Sequence, residues 1–265
     1  ETGDDIMVAG FGTNKFFGQL GHDWGSNANA SKGVLADMAN RVFAEPASPA
    51  SEAAVLNRYT QTESLSGSKF SDILRGDDLT ALGADHALMD ANVSLINGLN
   101  EFLGSVNEAG DVRFSSGNII LGGGGSDIIL GRGGDDLIDG DRSLEVLIKV
   151  TPSDGAEPYF VKGMSEIQAK MFTGEIKPSE LSIWREIKDT SNAGDVDVVQ
   201  MSGNVADYTI EGYNDFLGVA TDLDADGFIS ITDNRVGGLD GTDRVANIER
   251  VLFADGSLKI ALHDN

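Results

Sequence analysis

The chain contains no cysteine in 265 residues. A disulfide framework and a thiolate metal site are both excluded, so a fold that needs cross-links must find them elsewhere. Basic residues are scarce as well: 19 Lys and Arg face 43 Asp and Glu, for a formal charge of −24. No basic stripe is present to meet phosphate, which argues against nucleic acid and equally against an anionic membrane surface. Imidazoles are limited to His22, His86 and His263. No H-E-x-x-H, G-x-S-x-G or G-x-x-x-x-G-K-(S/T) pattern occurs, and the chain reads as non-catalytic. His22 lies in a turn beside Asp23, where an exposed loop histidine is expected rather than a ligand. There is no eighteen-residue apolar run and no basic-then-apolar leader. The length allows two compact units, each with a core.

Glycine is abundant, with 34 residues, and it keeps a nine-residue beat. Gly122 to Leu130 reads GGGGSDIIL and Gly131 to Asp139 reads GRGGDDLID. Both fit G-G-x-G-x-D-x-U-x, where U is a large apolar residue, with Asp127 and Asp136 sixth and Ile129 and Ile138 eighth. Nine residues back lies Asn118 with Ile120, and nine forward lies Glu145 with Leu147. Asp5, Asn14 and Asp23 keep the same spacing at the start, with Met7 and Phe16 in the apolar place and Gly25 breaking the third unit. One further copy, GSKFSDILR, places Asp72 and Leu74 correctly. Nonapeptides of this form build calcium-binding parallel β-helices. Glycine permits a tight left-handed turn that aims carbonyls inward, and calcium wants six to eight hard oxygens. The competing reading makes the glycines turn punctuation between ordinary strands.

These repeats resemble the RTX (repeats-in-toxin, haemolysin-type calcium-binding) family. The resemblance implies a right-handed parallel β-roll in which two nonapeptides make one turn and calcium lies between residues eighteen apart. The implied pairs are Asp5 with Asp23, Asn118 with Asp136, and Asp127 with Glu145. Arg132, where the family has Gly, and Glu145, where it has Asp, depart from the pattern. The charge of −24 agrees, because bound divalent ions would neutralise carboxylates that otherwise repel one another.

The expected fold is mainly β: a calcium-binding parallel β-roll with helical insertions over residues 1–148, then a β-rich C-terminal domain over 149–265. Residues 27–66 read as a first insertion, with a short helix over 32–43. Residues 76–112 read as a second, with one helix carrying Met89, Val93, Ile96, Leu99, Leu103 and Val106 on a single apolar face. Asp85 is its expected N-cap, and the helix is expected to pack on the open flank of the roll. Beyond Val150, Ser165 to Gln168 fits a capping box before a short helix that Gly174 ends. Period-two alternation then begins at Leu181, with further strands at 196–201, 208–212, 228–232 and 248–253.

Two motifs fall in this second half. Asp222-Leu-Asp224-Ala-Asp226-Gly227-Phe228 through Asp233 matches the twelve-residue EF-hand loop, with Asp233 replacing the final Glu. Asp222, Asp224, Asp226, the Phe228 carbonyl and Asp233 are the expected ligands of one more calcium. The run Asp240-Gly-Thr-Asp243 to Asp255-Gly256 resembles a D-G-T-D-x-(V/L)-x-N-I-E signature that follows repeats in large secreted RTX proteins. Taken together, the motifs resemble the non-catalytic region of bacterial RTX haem peroxidases and of giant RTX adhesins. Because the chain begins inside a repeat, it reads as part of something longer. The expected function is a calcium-dependent structural or binding module of a secreted or cell-surface protein, exported by type I secretion. The alternatives are an adhesin module holding a peptide, glycan or other cell-surface ligand, and an accessory part of a haem peroxidase.

Overall fold

The computed structural model describes residues 2–10, 12–42, 57–105, 110–214, 219–220, 224 and 226–259. The protein is mainly β, with parallel sheets. Its organising unit is a strand of three residues, long enough to aim one side chain inward and two outward. Ile119–Leu121, Ile128–Leu130 and Leu137–Asp139 follow one another through glycine-rich turns, yet Ile120 pairs with Ile138 and not with Ile129. Successive strands therefore alternate between two sheets, and strands eighteen residues apart become neighbours.

The first sheet stacks Ile6–Val8, Trp24–Ser26, Ser64–Ser66, Ile119–Leu121, Leu137–Asp139 and Thr242–Ala246 in parallel, then adds Ile229–Asp233 and Tyr208–Glu211 antiparallel. The second stacks Leu35–Asp37, Ile73–Arg75, Ile128–Leu130, Val198–Gln200 and Arg250–Phe253 in parallel, with Gly256–Lys259 antiparallel at its edge. Middle residues of these strands meet in one core that includes Leu65, Ile120, Ile138 and Val245 from one side and Leu74, Ile129, Val199 and Val251 from the other. Gly25 occupies a middle position without a side chain, and the buried Tyr59 ring lies against it, 5.1 Å from the Phe16 ring. The missing apolar residue is thus replaced by a neighbour's.

Several expectations change here. Residues 27–66 are no insertion: they supply Leu35–Asp37 and Ser64–Ser66 to the two sheets. No helix forms over the described part of 32–43, because Ala36 turns into the core and its neighbours pair with Ile73 and Arg75. Nor do the strands after 149 all stand apart, since Val198–Gln200, Thr242–Ala246 and Arg250–Phe253 extend the same two sheets. The single helix of 85–106 appears as two short ones, Asp90–Val93 and Leu99–Leu103, parted where Gly98 takes φ +76°. Met89, not Asp85, precedes the first, and Val106 lies outside the described residues. Their apolar face is buried, on the outer surface of the first sheet and not on an open flank: Val93, Ile96, Leu99, Phe102 and Leu103 bury against Trp24, Ile119, Leu121 and Leu137. The helix Gln168–Phe172 forms, but without a side-chain cap from Ser165.

Between the strands Leu137–Asp139 and Val198–Gln200 an arm leaves the stack. Arg142–Val150 and Leu181–Asp189 pair antiparallel through nine residue pairs, and Tyr159–Val161 adds a third strand. A small core of Val150, Val161, Ile167 and Ile176 closes its far end. Thr190 returns to the stack, donating from both N–H and Oγ to the Asp141 carbonyl at 2.8 and 2.7 Å. No described helix is long and apolar enough to cross a membrane.

Candidate metal centre: two rows of turn carboxylates

Each parallel strand is entered through a turn, and the last turn residue stands at the same place in every layer. Stacking brings those residues into rows. The first row runs Asp5, Asp23, Glu63, Asn118, Asp136 and Asp243, at the head of the first sheet. The second runs Asp72, Asp127, Asp197 and Glu249, at the head of the second.

Within the rows each backbone N–H finds the side chain of the next layer. Asp5 donates to Asp23 Oδ1 (2.8 Å), Asp23 to Glu63 Oε2 (2.8 Å), Asn118 to Asp136 Oδ1 (2.6 Å) and Asp136 to Asp243 Oδ1 (3.0 Å). In the second row Asp72 donates to Asp127 Oδ1 (2.6 Å), Asp127 to Asp197 Oδ1 (2.7 Å) and Asp197 to Glu249 Oε2 (2.6 Å). These N–H groups lie at buried strand starts, where an unmet donor would be costly. Glu63 and Asn118 are linked differently, by Asn118 Nδ2 on the Glu63 carbonyl (3.1 Å).

One oxygen per carboxylate satisfies the neighbour. The second is left over. Asp23 Oδ2, Asp127 Oδ2 and Asp136 Oδ2 are buried and have no hydrogen-bond partner among the described residues. A buried, unpaired carboxylate oxygen is expensive unless a cation meets it. Burial is the main cause pushing Asp127 up to about 9, Glu63 and Asp197 to about 8, and Asp23 and Asp72 to about 6. Asp136 and Asp243 are raised well above the usual carboxylate range by burial, with further raising of Asp136 by Asp77, Asp135 and Asp240 and of Asp243 by Asp136, Asp240 and Asp135. Beside the orphaned oxygens lie glycines without room for a side chain: a Cβ on Gly122 would overlap the Gly140 carbonyl and Asp127 Oδ2, and one on Gly131 would overlap Asp136 Oδ2.

Among the described residues no group of three or more His, Asp or Glu side chains is placed to hold a metal ion. An ion in these rows would therefore draw most of its oxygens from backbone carbonyls, with one or two carboxylates, a donor set that suits calcium. No protein-family model matches the chain, and no curated protein matches its sequence.

Two of the three expected pairs are brought together, Asp5 with Asp23 and Asn118 with Asp136. The third is not. Glu145 lies within the arm strand Arg142–Val150, paired across to Glu186 and 3.3 Å from Lys188 Nζ, and Asp197 takes its place beside Asp127. Asp72 is no isolated copy, since it adjoins Asp127 across 55 residues of chain; both its oxygens are engaged, by Val34 and Ser68. Asn14 sits outside both rows and bonds Gly10, Gly12 and Asn57.

The EF-hand-like loop is held together differently from the expected ion cage. Asp222 lies outside the described residues. Asp224 and Asp226 share the Arg244 guanidinium at 2.7 and 3.2 Å, while Asp233 turns to Arg235 at 2.6 Å. The Phe228 carbonyl accepts the Asp224 N–H, and its ring is buried 5.9 Å from Phe102. Two protein cations thus occupy carboxylates assigned to calcium. His22 is buried, not exposed: Nε2 lies 2.6 Å from Ser64 Oγ and Nδ1 faces the His86 carbonyl, and burial lowers its pKa to about 4.

Four row members, Glu63, Asp197, Asp243 and Glu249, escaped the sequence reading. Their signal is the acidic sixth place with an apolar eighth: Leu65, Val199, Val245 and Val251 follow at two residues. In two of these units a residue other than glycine holds the left-handed fourth place: Gln61 ahead of Glu63 and Asn247 ahead of Glu249, each at φ 52°. A search demanding glycine passes over such units, although the backbone there is the same.

Proposed function

We propose that the chain is a calcium-dependent, non-catalytic structural module of RTX type, a β-roll whose turns are held by calcium, belonging to a protein secreted by or displayed on a bacterium. The observation that supports this most is the orphaned oxygen of Asp23, Asp127 and Asp136, each buried beside its row. Calcium supplies the positive charge that row carboxylates lack. Asp23, Asp127 and Asp136 would hold it together with turn carbonyls, while their other oxygens keep the layers in register through N–H bonds. The excess of 43 acidic over 19 basic residues has the same sense: without cations the chain repels itself, and with them it compacts. Such a chain stays loose where calcium is scarce and folds where it is plentiful.

Melting in chelator and in millimolar calcium is the test. Binding to the folded state alone contributes about 2.7 kcal/mol per site at a hundredfold excess over Kd, so several sites raise the melting temperature by many degrees. Equal melting temperatures in the two buffers would remove the reading. Asp127→Asn keeps the N–H bond to Asp72 but weakens the cation site, and metal analysis of the purified variant should find fewer calcium ions per chain.

A further inference from the structure

The arm carries a surface that the two-sheet body does not. Residues 142–189 contain seven of the 19 basic and eight of the 43 acidic residues, so the arm stands at −1 in a chain of −24. Its strand Leu181–Asp189 forms one edge of the three-stranded sheet. Asn97 covers part of that edge: its N–H donates to the Arg185 carbonyl (2.9 Å) and its carbonyl accepts from Ile187 N–H (2.8 Å). In an antiparallel pair alternate residues turn their peptide groups to the same side, so Ile183 faces outward as Arg185 and Ile187 do. No described segment pairs with it there. Ile183 is also 54% exposed.

The open stretch Leu181-Ser182-Ile183-Trp184 has no charge and no proline, and the nine pairs behind it run without a bulge. Proteins that stay monomeric usually blunt such an edge with one of those devices. We propose that this edge pairs antiparallel with the same edge of a second copy, about a two-fold axis at Ser182, so that Leu181 of each copy faces Ile183 of the other clear of Asn97, giving one six-stranded sheet. A two-fold antiparallel pair is self-complementary, so one surface serves both partners. Charge selects the place: two bodies of strongly negative charge repel, whereas the arm is nearly neutral and the edge uncharged. Trp184, its ring tilted against Phe160 with centroids 5.3 Å apart, adds apolar area beside the pairing strands.

Sedimentation velocity of the full calcium-loaded chain over a wide concentration range reads the outcome. A monomer–dimer equilibrium is expected, tightening with added salt as repulsion between the bodies is screened. Ile183→Lys should weaken the dimer about tenfold or more, as for a central interface position, with an unchanged melting temperature showing that the variant folds. Ser182→Cys gives an independent reading, because the chain has no other thiol. Residues opposite one another in a non-hydrogen-bonded antiparallel pair lie about 4.5 Å apart between Cα atoms, within disulfide range. A mild oxidant should therefore cross-link Ser182→Cys into covalent dimers and leave Val236→Cys, fully exposed elsewhere, largely monomeric. A chain that is monomeric throughout, a dimer untouched by Ile183→Lys, or equal cross-linking of the two cysteine variants overturns the proposal.

Discussion

Asp197 and Glu145 show what a single residue does in this protein. Both are acidic, and sequence spacing favoured Glu145 as the partner of Asp127. Asp197 is buried and accepts the Asp127 N–H, whereas Glu145 meets Lys188 in an exposed pair. Asp197→Ala should cost about 1–3 kcal/mol by stranding a buried donor. Glu145→Ala should cost less than about 1 kcal/mol, as surface ion pairs do. Chemical denaturation of the two variants in chelator checks the order, and a reversed ranking would return Glu145 to the row. Gly122→Ala is the steric counterpart: its Cβ would overlap the Gly140 carbonyl, backbone that cannot swing aside. A loss of about 1–3 kcal/mol is expected, typical of overpacking, with calcium affinity falling as Asp127 is displaced. Glu63 and Glu249 were illegible in the sequence because Gln61 and Asn247 stand where their units would carry glycine. Asp243 sits in the D-G-T-D signature, but its place opposite Asp136 depends on a separation of 107 residues along the chain, and no local spacing carries that.

Elements enter the stack through turns and leave its register undisturbed. The arm is the clearest instance, since Val146 and Arg185 face each other across its two long strands. Excising 147–184 and joining Val146 to Arg185 by Asn-Gly, which suits a two-residue hairpin turn, should leave the two-sheet core folded. Leu144, buried against the first sheet's outer cluster, is retained. Far-UV circular dichroism and the calcium-dependent melting shift should both survive, and loss of either would show that the arm is needed to build the stack. The helical cover was legible as an apolar face and illegible as two pieces. Spacings of three and four run straight through Gly98, but its left-handed φ and the Ile187 carbonyl 3.0 Å from where a Cβ would sit break the helix there. The strand Leu35–Asp37 was missed for another reason. Three residues are too few to display a period, and only its neighbours across the sheet define it.

At the scale of the molecule the rows make stability a function of pH and, on the proposed function, of calcium. Asp23, Glu63, Asp72, Asp127 and Asp197 are all raised by burial, to values from about 6 to about 9. The folded, calcium-free chain thus keeps protons that the unfolded chain has already released, since ordinary carboxylates titrate near 4. Stability from this source is present below that value and is lost as pH rises through the folded pKa values. Melting temperature of the metal-free protein should therefore fall from pH 5 to pH 9. Millimolar calcium should flatten or invert the slope, because the metal takes the deprotonated form. A metal-free protein that gained stability over this range would contradict the assignment.

The hydrogen bonds of the rows also have a direction. Apart from the Asn118–Glu63 link, the N–H belongs to the earlier layer and the carboxylate to the later: Asp5 to Asp23, Asp72 to Asp127, Asp136 to Asp243, Asp197 to Glu249. No layer is complete until the one after it in the chain is in place. Growth of the stack is therefore not symmetric in time. A chain presented from its amino end would lay down each turn with an open donor and wait. Presented from its carboxyl end, each arriving turn would meet an acceptor already set, so that assembly could advance like a ratchet, one layer at a time, against any slippage back.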